Sequence, residues 1–511
     1  MNAQASRQLN TGDLLAVLQP LLVTGPQTGS VSSLAYDSRR VTAGGCFFAL
    51  RGSSADGHAF IDRALQAGAT TIVMEENRVL PSGVLGITVA DSRHALAQAA
   101  ALYFGAPANK LLSIGVTGTN GKTTITYLLE AILLAAGRKP AVIGTVSYRF
   151  GALQQTASHT TPESLELQQT LSEFQQAGAD ALVMEISSHA LEQNRVVGIP
   201  LQVGIFTNLT PEHLDYHQTM EAYFGSKRRL FSDHIAPSGA AAVINVDDAY
   251  GARLASEFSG AWTCGLSEDA RIRAKNVVLS RDGVAFDVTL PDGVLAVRSP
   301  LLGRFNVSNL LCAIAAASAI GINGATIQSG LQQATSVPGR LERIENTRDA
   351  LVLVDYAHTG DALENVLTTL CDLKPRRVIS VIGCGGDRDR SKRPVMGEIA
   401  ARYSGLVIVT SDNPRTEDPA SIIAEILPGV QGRFATELSE ADAGNPDANG
   451  YRVIVDRRSA LGFAVAALQP GDLLLVAGKG HEDYQIIGSQ RLHFDDREEL
   501  RAALLQNGWQ S

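Results

Sequence analysis

The chain has 511 residues, of which 45% are hydrophobic and 19% charged, and its formal net charge is −9. That is material for about three cored domains and excludes a wholly disordered chain. The acidic balance also excludes a general binder of nucleic acid or anionic membrane, while leaving room for anions held in a local pocket.

The first residues, MNAQASRQLNTGDLL, carry no apolar stretch next to a cleavage site, so no secretory leader is expected. Residues 1–108 hold short apolar runs with turn signals between them, such as CFFAL at 46–50 and TIVM at 71–74. An Ala-rich helix is predicted at about 94–104. This reads as a small α/β unit, closed by a linker at 105–109 (GAPAN). Cys46, Cys264, Cys312, Cys371 and Cys384 are dispersed without a CxxC pair. That usage predicts reduced thiols in the cytoplasm and neither a disulfide frame nor a zinc site.

A second stretch, 109–337, opens with the strand candidate LLSIGV at 111–116, then Gly118-Thr119-Asn120-Gly121-Lys122-Thr123-Thr124, then a helical pattern through 127–136. Further buried strands are predicted at 181–186, 203–207 and 240–245, with helices between them. The alternation predicts a parallel sheet covered on both faces. Residues 271–298 alternate in polarity and carry Asp-Gly at 282–283 and 292–293, which predicts β-hairpins. The run 310–322 is too short to span a bilayer and predicts a buried helix, so no membrane insertion is expected. A third stretch, 338–511, repeats the α/β alternation with strands at 351–355, 378–383, 406–410 and 473–477. Residues 441–450 (ADAGNPDANG) read as a mobile surface loop.

Strand, glycine-rich turn and helix is the context of a phosphate loop. The glycines let backbone N–H groups turn inward, and the helix N-terminus adds partial positive charge. Lys122 suits the β/γ-phosphates and the Thr123 hydroxyl suits Mg²⁺. The loop is a variant: Val116 stands where a strict G-x-x-x-x-G-K-[ST] has glycine, and Gly118 supplies the flexibility.

Glu185 ends a strand at the edge where ligands of α/β sheets sit, as a Mg²⁺ ligand or a helix cap. His213 and His217 are four apart and would share a helix face. Leu214 occupies the place of the HExxH glutamate, so a magnesium or phosphate role for one histidine is favoured over zinc. Lys227 stands in a basic cluster, SKRRLF, whose plain reading is a solvated helix face.

GTNGKTT, MEISSH, NLTPEHLDYH, SKRRLF, GRFNVSN, VPGRLE, DYAHTGDALE, GCGGDRDRSKRP, DNPRTEDP and GKGHEDYQ follow one another in a single order from Asp37-Ser38-Arg39 to about Gln485. That order resembles the Mur ligase family of peptidoglycan synthesis, most closely its branch that adds meso-diaminopimelate. The resemblance implies an α/β protein of three domains. These are an N-terminal domain for the UDP-muramyl substrate (1–108), a central P-loop ATPase with a parallel sheet (109–337) and a C-terminal Rossmann-like domain for the amino acid (338–511). It implies ATP and Mg²⁺, UDP-N-acetylmuramoyl-L-alanyl-D-glutamate and meso-diaminopimelate as small-molecule partners, no nucleic acid, and a monomer.

Residue by residue, the resemblance places Thr123, Glu185 and His213 at magnesium. Lys227 falls where the family carries a carboxylated lysine, an anionic oxygen ligand that would overturn the plain reading. Lys122, Lys227 and His213 become the catalytic set. Gly118 to Thr124, Asn309, Arg340, Asp355 and His358 match ATP positions. Tyr36, Ser38, Ser53, Ser54, Ala55, His159, Thr160, Thr161, Ser187, Gln193 and Arg195 match positions around the UDP-muramyl dipeptide, with His159 in place of an expected asparagine. Arg388, Asp412, Asn413, Pro414, Arg415, Gly478 and Glu482 match the amino-acid site. There the planar fork of Arg415 suits the distal carboxylate that diaminopimelate has and lysine lacks, and Glu482 suits the distal ammonium. A lysine-adding homologue and a folylpolyglutamate synthase are the alternatives within the superfamily, and a non-catalytic nucleotide-binding scaffold is the alternative outside it. Arg415 argues against the first, the Asp37-Ser38-Arg39 and DNPR segments against the second, and the full set of ATP, Mg²⁺ and amino-acid positions against the third.

Overall fold

The computed structural model describes residues 7–52, 55–236, 239–290, 293–334 and 336–509. The chain is α/β throughout and its strands gather in three main sheets. It divides into two compact units. The first reaches to Ala274 and takes in Val288–Leu295 and Ser308–Gly330; the second holds Lys275–Asp287, Ala296–Val307 and the chain from Leu331 on.

In the first unit, a five-stranded sheet runs in the order Leu22–Thr24, Leu85–Thr88, Ala69–Met74, Gly45–Phe48, Leu34–Ala35. Helix Ser92–Tyr103 covers it. The Asp91 side chain caps this helix by accepting from the N–H groups of Arg93 and His94, and Ala95, Leu96, Ala99 and Ala100 form its buried stripe.

The same unit holds the parallel core of the largest sheet. Strand Leu112–Thr117 lies at its centre, flanked in parallel by Ala181–Glu185 and Val203–Phe206. Pro140–Ile143 joins beyond the former and Ala241–Asn245 beyond the latter. The chain therefore leaves the central strand toward one side and later returns to the other, which opens a crevice at the strands' carboxyl ends. Helix Lys122–Ala135 packs Ile125, Leu128, Leu129, Ile132 and Leu133 inward at helical spacing. The sheet continues through Trp262–Gly265, Ile272–Ser280, Gly283–Leu290 and Gly293–Ser299. The expected first Asp-Gly turn falls between two of these strands, and Asp292 of the second lies outside the described residues. The expected buried helix is the middle of Arg304–Ala319, where Leu310 to Ala317 are sealed from solvent.

In the second unit, a six-stranded sheet orders Glu342–Ile344, Leu351–Asp355, Leu473–Ala477, Val378–Ile382, Leu406–Val409, Gly450–Val453, parallel but for the first strand. Strand residues alternate between two cores. Leu351, Leu353, Val407, Val409, Leu473 and Leu475 face one, and Val352, Val354, Leu406, Ile408, Leu474 and Val476 the other. Burial on both faces explains why these strands read as continuous apolar runs. The expected loop at 441–450 needs correction. Ser439 caps a short helix, Glu440–Ala443, whose Ala443 is fully buried, so an N-cap and one apolar anchor order its first half.

All five cysteines are free thiols; four are buried and Cys371 is partly so. Among the described residues no helix is long and apolar enough to cross a membrane.

Helices Lys392–Tyr403 and Pro419–Gln431 cross at two glycines. A methyl group on Gly397 would lie 2.4 Å from the Ile426 carbonyl oxygen, and one on Gly429 would lie 1.8 Å from that of Pro394. The obstructing atoms are backbone, so the helices themselves must part. Gly429→Ala should lower stability by about 1–3 kcal/mol, read as a lower thermal midpoint of the unfolding transition that includes the C-terminal sheet.

Candidate active site

The phosphate loop forms as its sequence implies. Strand Leu112–Thr117 ends where Gly118 adopts φ 145°, and Gly121, at φ 91°, precedes the first turn of helix Lys122–Ala135. Both are positions that side chains avoid. A Cβ on Gly118 would stand 1.8 Å from Thr207 Oγ1, and one on Gly121 would stand 2.3 Å from Asn309 Oδ1. Asn309 therefore lies against the loop, as the family resemblance implies. The turn after strand Val203–Phe206 braces the loop from outside. Thr207 Oγ1 donates to the Asn120 carbonyl (2.6 Å), and Asn208 Oδ1 accepts from the Asn120 N–H (2.9 Å).

Two lysines converge on one oxygen. Lys122 Nζ donates to the Gly118 carbonyl (2.8 Å) and to that of Thr119 (2.7 Å), and Lys227 Nζ donates to the same Gly118 carbonyl (2.8 Å). Lys227 is 1% exposed. Its Nζ lies 4.5 Å over the Tyr223 ring, and among the described residues no carboxylate is within ion-pair reach of it. Burial, and then the nearby Lys122 charge, push Lys227 well below the ordinary lysine value. The solvated-face reading of SKRRLF thus fails at this residue. Helix Met220–Asp233 turns Lys227, Leu230 and Phe231 inward and leaves Arg228 outside, paired with Glu257.

Glu185 ends its strand 1% exposed and caps no helix; Ser187 caps the next one. Its carboxylate accepts from Thr123 Oγ1 (3.1 Å), the Thr145 N–H (2.9 Å) and Thr145 Oγ1 (3.0 Å). A Cβ on Gly144 would intrude to 2.4 Å. An anionic oxygen set beside the loop threonine suits a hard divalent cation.

His213 and His217 are joined by a single turn and not by a longer helix: His213, at φ 57°, precedes the turn Leu214–His217, and the His217 N–H donates to its carbonyl (2.9 Å). Both rings nonetheless face the same neighbours, His189 (4.9 and 5.4 Å) and Tyr223 (6.2 and 5.1 Å). His217 Nε2 meets Ser188 Oγ at 2.9 Å. The His213 ring, exposed along one side and lowered in pKa chiefly by partial desolvation, stands edge-on to His189. Among the described residues no three His, Cys, Asp or Glu side chains converge as a closed metal cage.

Polar groups line the same strand ends. Thr160 Oγ1 lies 3.0 Å from Thr145 Oγ1, and Thr161 Oγ1 donates to the Glu185 carbonyl (2.9 Å) and accepts from the Ser187 N–H (3.1 Å). Arg195 donates to the Thr161 carbonyl (2.9 Å) and to Gln193 Oε1 (2.7 Å), and pairs with Glu163 (2.8 Å). His159 is exposed, and its backbone is fixed by the Tyr148 hydroxyl. In the N-terminal domain Ser38 is buried, the Tyr36 hydroxyl donates to Glu166 (3.1 Å), and Ala55 is exposed. Ser53 and Ser54 lie outside the described residues.

A second constellation belongs to the C-terminal sheet. Asp355 is buried at the end of its strand, accepting from the N–H groups of Leu341 (2.7 Å) and Ala357 (2.8 Å), and burial raises its pKa. The Arg340 guanidinium lies 4.7 Å over the Tyr356 ring, and His358 Nδ1 contacts the Tyr356 carbonyl (2.8 Å). Asp412, Asn413, Pro414 and Arg415 follow strand Leu406–Val409. Arg415, at φ 53°, is held by backbone bonds to Ile486 (3.0 Å) and Gly488 (2.7 Å). Its Nη1 donates to the Gly386 carbonyl (2.8 Å). A Cβ on Gly385 would lie 2.9 Å from that nitrogen and 3.9 Å from Arg388 Cγ, so both arginines pass over one glycine. Gly478, at φ 114°, lets the chain pass Asp412, and Asn413 Nδ2 donates to Glu482 Oε2 (2.9 Å). Burial, with Asp412 next, raises the Glu482 pKa.

Sequence reasoning missed Thr145, Thr207, Tyr223 and Glu163. Thr145 and Thr207 each follow a parallel strand at its carboxyl end, a position that could have flagged them. Tyr223 and Glu163 carry no such signal.

Models of three Mur ligase segments match the chain: the family catalytic domain at residues 30–104, the middle domain at 116–317 and the glutamate ligase domain at 339–480. A UDP-N-acetylmuramoyl-L-alanyl-D-glutamate--2,6-diaminopimelate ligase of Geobacter sulfurreducens is 51% identical, covering 96% of this chain and 98% of its own. One of the same name from Nostoc is 42% identical over 98% of both. A solved structure with that name aligns at TM-score 0.70 and 33% identity, covering 98% of this chain and 99% of its own.

Gly118→Ala puts a methyl group into Thr207 and disfavours the required φ. We expect a folded protein whose affinity for a fluorescent ATP analogue falls by at least about tenfold. Titration of variant against parent checks this.

Proposed function

This chain belongs to the Mur ligase family, and on that premise we propose that it uses ATP to join meso-diaminopimelate to UDP-N-acetylmuramoyl-L-alanyl-D-glutamate in cytoplasmic peptidoglycan precursor synthesis, acting as a monomer. The observation that carries the choice of amino acid is Arg415. Its guanidinium is anchored through one nitrogen to Gly386, and its own loop carries Asn413, which donates to Glu482 in the loop after strand Leu473–Ala477. A planar fork so held suits a carboxylate at the far end of the incoming amino acid. A substrate lacking that group would leave the fork without its partner, so discrimination should be large.

The chemistry follows from the poor reactivity of a carboxylate. A carboxylate oxygen of the muramyl dipeptide attacks the γ-phosphorus of ATP, and ADP leaves, giving an acyl phosphate. The amine of diaminopimelate then attacks the acyl carbon. The tetrahedral intermediate collapses to the amide as phosphate leaves and the amine gives up its proton. Negative charge gathers where phosphate meets carboxylate, so the chain must supply positive charge and backbone donors there. Gly118 to Thr124 would cradle the phosphates, and Lys122 would turn from the Gly118 and Thr119 carbonyls to the β/γ-oxygens. Asn309 would stand beside them, and Arg340, Asp355 and His358 match nucleotide positions by the family resemblance.

Thr123 and Glu185 fit magnesium, being a hydroxyl and a buried carboxylate already in contact. His213 and Lys227 would serve a second ion, Lys227 only as its carbamate. A neutral amine is the form that takes up CO₂, and the burial of Lys227 favours that form. Bound magnesium supplies neutralisation of the phosphate charge. Tyr36, Ser38, Ser53, Ser54 and Ala55 would hold the uridine side, and His159, Thr160, Thr161, Ser187, Gln193 and Arg195 the pyrophosphate, sugar or peptide. Arg388, Asp412, Pro414 and Gly478 would complete the amino-acid site. The three matched segments support domain limits of 1–108, 109–337 and 338–511 for these three tasks.

The decisive assay is ADP release with ATP, Mg²⁺ and the muramyl dipeptide, comparing meso-diaminopimelate with L-lysine. Turnover with the diacid and little with lysine is expected; equal rates would refute the assignment. Arg415→Ala should raise KM for diaminopimelate about a hundredfold and leave KM for ATP nearly unchanged. Lys227→Ala should lose turnover and regain part of it with added short carboxylates; full activity without them would show that no carbamate is required.

A further inference from the structure

Behind the amino-acid pocket lies a lysine for which the reaction scheme above has no use. Lys479 is fully buried in the loop after strand Leu473–Ala477. Its Nζ lies 3.3 Å from Asp412 Oδ1, 3.2 Å from Asn413 Oδ1 and 3.7 Å from Glu482 Oε2. Those three side chains come from two separate segments, and all three are assigned to the incoming amino acid.

An asparagine amide can face either way. Here Asn413 Oδ1 accepts from Lys479 and from the Ile486 N–H (2.9 Å), so both neighbours on that side are donors. The amide nitrogen must then point to the other side, where it donates to Glu482. Lys479 thus decides which end of Asn413 meets the carboxylate. It also sets a positive charge between the carboxylates of Asp412, which is buried, and Glu482, which is partly buried, and these would otherwise repel each other. Asp412 is accordingly held below the ordinary carboxylate value: burial alone would raise it, and Lys479 followed by Arg457 outweigh that.

We infer that Lys479 is a positioning residue for amino-acid recognition, its ammonium fixing Asp412, Asn413 and Glu482 in the arrangement that receives the distal ammonium of the substrate, without touching the substrate itself. This rests on the proposed diaminopimelate reading. Its signature is a selective loss, because the three groups it orders serve one substrate of the three.

The test is steady-state kinetics of Lys479→Met with each substrate varied in turn, and of Lys479→Gln, which keeps a donor but no charge, should the methionine variant not fold. KM for diaminopimelate should rise about thirtyfold or more, with KM for ATP and for the muramyl dipeptide within about twofold of the parent. In a Glu482→Gln background the same substitution should cost clearly less than in the parent, because part of its effect runs through Glu482. An unchanged KM for diaminopimelate, a uniform rise in all three constants, or full additivity with Glu482→Gln would each overturn the inference while parental turnover with the diacid leaves the proposed function standing. A parent enzyme inactive with diaminopimelate would overturn both.

Discussion

Two lysine amines share the carbonyl oxygen of Gly118, and burial settles how they can do so. Beside the Lys122 charge, the sealed Lys227 is held well below the ordinary lysine value, which favours its neutral form. Lys122 arrives from the helix that the loop begins, and Lys227 from a helix about a hundred residues later, buried over Tyr223. The Gly118 backbone can be approached because Gly118 has no side chain to fill the space beside Thr207. A polyphosphate binding here would draw Lys122 away from the two loop carbonyls that it holds. Carboxylation of one lysine would convert the conflict into attraction.

The second unit solves the opposite problem. Its pocket gathers acids, Asp412 and Glu482, and keeps them apart with buried cations. Lys479 stands between them, and Arg457 lies deeper, paired with Asp496 at 2.7 Å and donating to the Ala477 carbonyl (3.1 Å). The first unit thus brings two lysine amines to one carbonyl oxygen, and the second sets a lysine and an arginine among acids.

Much of this was legible in the residues. The strand at 351–355, the phosphate loop and the buried Ala-rich helix lie where hydrophobic patterning put them, because sheets covered on both faces write continuous apolar runs. The place of Glu185 at a strand's carboxyl end was legible in the apolar run before it. Lys227 was not, since a basic run gives no sign of which member turns inward; that is set by the packing of Leu230 and Phe231. The spacing of His213 and His217 brought both rings to His189 and Tyr223, although only a single helical turn joins them. The loop at 441–450 misled because one buried alanine and a serine cap were enough to order its first half. The relation of Lys479 to Asn413 joins segments 66 residues apart, beyond the reach of any local pattern.

The thiol inventory has a practical corollary. Four of the five native sulfhydryls are sealed in the interior and the fifth is partly covered. Maleimide reagents should therefore find little background on the native fold. A single cysteine introduced on the exposed strand Leu153–Thr156 would accept a fluorophore almost alone, giving an optical handle without first stripping the protein of its own sulfur.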